Sequence, residues 1–240
     1  MSRSLFALLP VLLGGSVLMA AAPIAPVARP AAAATQATGG SSDEAAARDL
    51  AARLQGRYDA IRDFTADFTH TYEGGVLRRK TTESGTVAVK KPGRMRWEYK
   101  RPEEKLFVSD GRKIYAWIPA DRQVTVSSLP AEGQPATPAL FLMGRGNLLR
   151  DFTVSMAPPV PGAPEGSAGL TLVPRTKVPD YEQLTMVVDA KSLTLRMLIA
   201  RDAQGGTSTF TFTNLRENVG LPDSRFSFTI PRGADVVTQS

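Results

Sequence analysis

Few residues in this 240-residue chain could carry out chemistry. There is no cysteine, which excludes a thiolate nucleophile, a disulfide and any Cys-based metal site. The single histidine, His70, excludes a His-rich metal cluster and any mechanism that needs two imidazoles. It lies among strand threonines in FTADFTHTY and reads as a surface or half-buried strand residue, not a general base. In a strand, the adjacent carboxylates of Glu103 and Glu104 would point to opposite faces, so they form no acid/base couple and read as solvated charge at a turn. Asp110, in Ser-Asp-Gly, reads as a turn residue bonded to its own backbone. The chain has no GxSxG, P-loop, GxGxxG or HExxH pattern. These residues point to a binding protein without catalysis, cofactor or metal. A hydrolase of envelope substrates is the rival from another class, and it would need a nucleophile–base pair.

Charge is concentrated in one place. The chain carries a net +6, and residues 78–105 hold ten Lys or Arg against four Glu, so this segment accounts for the whole excess. Its densest part is KKPGRMRWEYKRPEEK, from Lys90 to Lys105. Met95, Trp97 and Tyr99 stand at every second position in it. In a strand they share one face, while Arg94, Arg96 and Glu98 share the other. Val87 and Val89 alternate in the same way with Thr86, Ala88 and Lys90. A hairpin turn at Lys90–Gly93 therefore joins two strands that each have an apolar face. Nucleic-acid binding wants aromatic and cationic groups on the same face, and alternation separates them. Ordinary core for the apolar face and solvent or a partner for the arginine face are the readings that periodicity supports. For an exported protein, a basic rim fits anionic lipid or an acidic partner better than nucleic acid.

The elements that must hold these residues follow from hydrophobic period. Residues 43–62 form a helix with Ala46, Leu50, Leu54, Tyr58 and Ile61 on one face, capped by Ser41 or Ser42. From Phe64 the period changes to two. Short strands separated by Gly, Pro and Asp run to Val126 and describe an antiparallel meander. The dense apolar segment TPALFLMGRGNLLR, 137–150, breaks this pattern and reads as one or two short helices interrupted at Gly144 and Gly146. Strands resume at about 151–156, 169–174, 181–189, 193–202, 207–216 and 225–229. A run of roughly ten or more antiparallel strands curls into a barrel, closed or half-open.

The N-terminus has a different composition. Arg3, an apolar run from Leu5 to Ala22 broken by Pro10 and Gly14-Gly15, and small residues up to Ala34 make a secretory signal peptide and leader, 1–34, with cleavage after 22, 28 or 34. The expected domain is 43–240, a single unit whose stability rests on its apolar core.

Several segments in order resemble one family. FTADFTHTY, GTVAVKKPGRMRWEY, PEEKLFVSDGRKIYAWIPADRQVTV, TPALFLMGRG and FSFTIPRGADVV together look like LolA, the carrier of outer-membrane lipoproteins, from about residue 45 to the C-terminus. The resemblance implies a mainly β fold, an unclosed antiparallel half-barrel of about 11 strands, with the N-terminal helix and short central helices forming a lid over its concave face. It implies a cavity for lipoprotein acyl chains lined by Val87, Val89, Met95, Trp97 and Tyr99, with Leu140, Phe141 and Met143 in the lid. It also implies that the basic residue before the hairpin proline, Lys91, is the lid latch, at a position where well-known members have Arg. Lysine is a point donor where arginine offers a planar fork. The implied partners are the lipoprotein cargo, an inner-membrane ABC transporter complex as donor and an outer-membrane receptor as acceptor, with the carrier a periplasmic monomer. A same-fold carrier of lipid or glycolipid, or a lipoprotein-sensing regulator, is the nearest alternative.

Overall fold

The computed structural model describes residues 39–75, 79–130, 142–144, 146–178 and 180–239, with side chains from residue 42 onward. The expected leader, 1–34, lies outside the described residues, as do Leu140 and Phe141 of the expected lid.

Helix α1 (Gly39–Ala60) is followed by six strands: β1 (Asp63–Glu73), β2 (Lys80–Lys90), β3 (Arg94–Arg101), β4 (Lys105–Asp110), β5 (Lys113–Ile118) and β6 (Gln123–Ser128). A short helix, α2 (Leu148–Asp151), leads into β7 (Phe152–Met156), β8 (Ser167–Pro174), β9 (Gln183–Asp189), β10 (Leu195–Arg201), β11 (Thr207–Glu217) and β12 (Asp235–Gln239). Single turns of 3-10 helix lie at Pro119–Asp121 and Asp223–Phe226.

The strands form one 12-stranded sheet in the order β12-β6-β5-β4-β3-β2-β1-β11-β10-β9-β8-β7. Its edges, β12 and β7, do not pair, so it is an unclosed half-barrel with one strand more than the 11 expected. Neighbours are antiparallel except β12, which runs parallel to β6. The chain halves meet where β1 pairs with β11, Phe68 opposite Phe212 and His70 opposite Phe210.

Helix α1 packs across β7 and β8 and against α2. Its buried face is Ala47, Leu50, Ala51, Leu54 and Tyr58, with Ile61 just beyond it. Spacings of three and four put these residues on one stripe, as expected, but Ala47 replaces Ala46, which is exposed. The helix already includes Gly39, so Ser41 and Ser42 lie within it instead of capping it. On the outer face, Glu44–Arg48 and Asp49–Arg53 ion pairs at 2.9 and 3.0 Å follow the i,i+4 spacing.

The strand expected at 225–229 is not one. Residues 223–226 make a 3-10 turn that seats Phe226, 1% exposed, against Ala88 and Leu221 on the convex side of the sheet. The alternation of Phe226, Phe228 and Ile230 therefore reflects a single side chain plugged onto the sheet, not a ladder. The true last strand, Asp235–Gln239, is mostly exposed and shows no alternation. Asp63, 5% exposed, ties this C-terminal run to β1: its carboxylate accepts from the backbone N–H of Val219 at 2.7 Å and of Gly220 and Leu221 at 3.2 Å.

Candidate functional site

Strands β2 and β3 hold the two unlike faces that alternation requires. Val87, Val89, Met95, Trp97 and Tyr99 all turn to the concave side, each less than 9% exposed. Register stacks them: Val87 faces Trp97 and Val89 faces Met95, while Phe64 on β1 faces Val89. The aromatic part is continuous. Phe68 meets Trp97 and Tyr99 edge-on at centroid distances of 4.9 and 4.8 Å, and Phe210 adds to Trp97 at 5.4 Å. These side chains belong to the main core together with the inner face of α1, Leu142, Met143 and Leu148. The expected wall is thus fully packed in this closed arrangement.

The opposite face of the basic segment is less free than alternation alone implies. Lys90 Nζ lies 2.6 Å from Asp223 and also donates to the Leu221 carbonyl at 2.7 Å, and Arg94 reaches the same carboxylate at 3.4 Å. Arg96 pairs with Glu98 at 2.5 Å. The C-terminal segment therefore neutralises part of the face assigned to solvent or a partner, a placement that sequence spacing could not reveal.

At the hairpin turn, three segments converge. The Gly93 N–H donates to the Met143 carbonyl at 3.2 Å, and the Lys91 N–H to the Arg62 carbonyl at 2.8 Å. The Lys91 ammonium hydrogen-bonds the Tyr58 carbonyl and stands 3.6 Å above the centre of the Tyr58 ring. The Tyr58 hydroxyl in turn donates to the Leu142 carbonyl. Lys91, the expected latch, thus contacts the end of α1, and Tyr58 contacts Leu142. Tyr58 was read in the sequence only as an apolar face residue; a buried tyrosine needs a partner for its hydroxyl, and that was the available signal. Burial pushes the Tyr58 hydroxyl up, so it stays a neutral donor. Burial also pushes the Lys91 ammonium down to about 8, against the pull of Asp59. Gly144, at φ +78°, completes the junction: a Cβ there would fall 2.7 Å from Lys91 Cδ. Beyond it, the Asn147 side chain caps α2 by accepting from Leu149 and Arg150 N–H groups, and the Leu148 N–H donates to Gln55 on α1 at 2.9 Å.

A polar group interrupts the wall farther along. His70, 3% exposed, has Nε2 2.6 Å from Ser208 Oγ and Nδ1 3.3 Å from Glu83, whose other oxygen lies 2.5 Å from Lys105 Nζ. The imidazole stacks on Phe210 at 4.2 Å. This corrects the surface-or-half-buried reading of His70. Burial pushes Glu83 up, but hydrogen bonds from His70 and Lys105 outweigh it and hold the carboxyl below its usual range. The order Ser–His–Glu is that of a hydrolase triad. However, Ser208 is the second residue of β11, paired with Tyr72 on β1 and Ala200 on β10, so the backbone around it serves the ladders instead of framing an oxyanion hole. The group satisfies its own buried polar atoms. Asp110 takes its expected turn role, accepting from the Arg112 and Lys113 N–H groups at 2.8 Å.

Among the described residues, no three His, Cys, Asp or Glu side chains converge as metal ligands, and no helix is long and apolar enough to cross a membrane.

The family model described as "Outer membrane lipoprotein carrier protein LolA" matches residues 59–229. The chain belongs to the LolA family. An outer-membrane lipoprotein carrier protein of Cupriavidus pinatubonensis is 32% identical over 190 residues, 78% of this chain and 86% of that protein. One from Methylibium petroleiphilum is 33% identical over 195 residues, 81% and 92% of the two chains. The solved structure of an uncharacterized conserved protein from Thermus thermophilus shares the fold, with a TM-score of 0.51 at 11% identity, covering 80% of this chain and 98% of that one. The LolA match spans the last two residues of α1, the hairpin, the Gly93–Met143 contact and the Phe226 turn, while Gln55 and Tyr58 lie just before it. Both relatives from Cupriavidus and Methylibium are named as outer-membrane lipoprotein carrier proteins.

Proposed function

We propose that this protein carries lipoproteins through the periplasm by holding their acyl chains against the concave face of the half-barrel. It reaches that compartment by a cleaved signal peptide, acts as a monomer, receives cargo from an inner-membrane ABC transporter complex and delivers it to an outer-membrane receptor. The observation that carries this reading is the joint between wall and cover. An apolar wall of Val87, Val89, Met95, Trp97 and Tyr99 is closed by Leu142 and Met143, which are held by two hydrogen bonds, one from the hairpin Gly93 N–H and one from the Tyr58 hydroxyl of α1. Magnitudes fit reversible capture. Each buried CH₂ is worth ~0.8 kcal/mol, so one long chain contributes on the order of 10 kcal/mol. The hydrogen bonds at the hairpin contribute about 1 kcal/mol each. An entering chain can therefore displace the cover, and the cover's return favours release to an acceptor. No covalent step is needed.

Depletion of the protein in its host is the test. Lipoproteins should accumulate in the inner membrane; correct sorting after depletion sinks the reading. Native mass spectrometry of the purified protein should find acylated peptide, and bound free lipid or glycolipid in its place would favour the alternative cargo.

A further inference from the structure

Arg57, in the last turn of α1, borders a narrow cleft between the helix and the sheet. Leu54, Ile61, Phe64, Met186 and Leu215 line it, and Arg57 and Glu217 are its charged residues. Arg57 Nη2 lies 2.7 Å from Glu217 Oε2 and makes a long contact of 3.5 Å with Thr194 Oγ1. Arg57 Nε is buried and meets no acceptor among the described residues. A guanidinium cannot give up its charge, and an unpaired buried donor on a charged group is unfavourable. An orphan donor in an otherwise apolar cleft marks a place for an acceptor oxygen that arrives with apolar material.

We propose that the cleft takes the head end of an acyl chain, with Arg57 Nε donating to the neutral carbonyl oxygen of its ester or amide linkage. This rests on the lipoprotein-carrier reading and names the subsite within it. Charge selects the head group. Glu217 already balances Arg57, so a free fatty-acid carboxylate would bring a second, desolvated anion beside Glu217. A carbonyl supplies the acceptor without the charge. The apolar side chains beyond are neighbours in register: Phe64 lines the cleft, faces Val89 across β1 and β2, and Val89 faces Met95. A chain anchored at Arg57 would run onto the wall described above. Acylated protein and free fatty acid share the chain and differ in this head.

The test measures binding of the mature chain to three probes: a dye-labelled peptide bearing dipalmitoylglyceryl-cysteine, its dialkyl-ether analogue, which lacks the ester carbonyls, and palmitic acid. The wild type should prefer ester to ether by about tenfold, the range of one hydrogen bond to a charged group. Arg57→Met should lose that preference, binding ester and ether alike. Arg57→Lys keeps the charge without the Nε donor and should lose it too, with an unchanged unfolding midpoint. Glu217→Gln should gain affinity for palmitate. Equal losses on ester and ether, an intact preference in Arg57→Lys, or wild-type palmitate binding as tight as the ester peptide's would each overturn the proposal. A wild type that binds neither peptide would overturn the carrier reading itself, and that result differs from ester and ether binding equally well.

Discussion

The Lys91 ammonium sits 3.6 Å above the Tyr58 ring centre and hydrogen-bonds the Tyr58 carbonyl, so the hairpin between β2 and β3 is fastened to the end of α1. Tyr58 passes the connection to the lid through its hydroxyl. In the proposed latch, a lysine and a tyrosine thus share contacts that a forked arginine could make alone, because a lysine ammonium reaches one segment and a phenol can reach the other.

Lys91 makes stability depend on pH in the alkaline range. Its pKa, about 8 when closed, lies below the usual lysine value, so the unfolded chain binds more protons between those two pKa values. Stability therefore rises with pH above about 8, and below it the full cost of burying the charge is present. Urea midpoints from pH 7 to 9.5 should climb in the wild type relative to Lys91→Met. Parallel curves for the two would refute this role.

Tyr58→Phe removes the bond to the lid and leaves the Leu142 carbonyl without that donor. The expected loss is about 1–2 kcal/mol, confined to the lid junction. Amide exchange at Gly93, whose N–H bonds to Met143, should quicken by roughly tenfold while amides in β10 and β11 keep their protection.

Gly144→Ala tests the close approach. The added methyl meets Lys91 Cδ at 2.7 Å, and the residue holds φ +78°, which favours glycine. A loss of about 1–2 kcal/mol in chemical unfolding is expected. Pairing it with Lys91→Ala should recover part of the clash, and a purely additive double variant would show that the side chain is not the obstacle.

Ser208→Ala separates structure from chemistry at the His70 group. Removing the hydroxyl leaves His70 Nε2 buried without that partner, at a cost of about 1–3 kcal/mol. Hydrolysis of a short p-nitrophenyl ester should stay at background in both proteins. Turnover in the wild type that the variant loses would reinstate the triad.

Much of the buried concave face is legible in the sequence. Period-two alternation sets which side chains share a face, so Val87, Val89, Met95, Trp97 and Tyr99 were found together and are together. Period 3.6 did the same for α1, missing by one residue at Ala47 because alanine on either side of a stripe carries little hydrophobic signal. The first turn of the helix left no signal because Gly39 and Gly40 are poor helix formers, and β12 left none because it is exposed along most of its length and has no side-chain rhythm.

The sequence by itself determined the many-stranded sheet, its apolar inner face and the hairpin turn, and its ordered motifs carried the family. The first three rest on local period and turn chemistry, which neighbouring residues encode, whereas period left open whether the sheet closes, and the unpaired edges β12 and β7 decided it. Tertiary structure alone decided the partners. Arg57 meets Glu217 across 160 positions, His70 meets Ser208 across 138, and Lys91 meets the Tyr58 carbonyl across 33. Such pairs depend on strand register and on how a helix crosses the sheet, and neither leaves a trace in the spacing of residues along the chain.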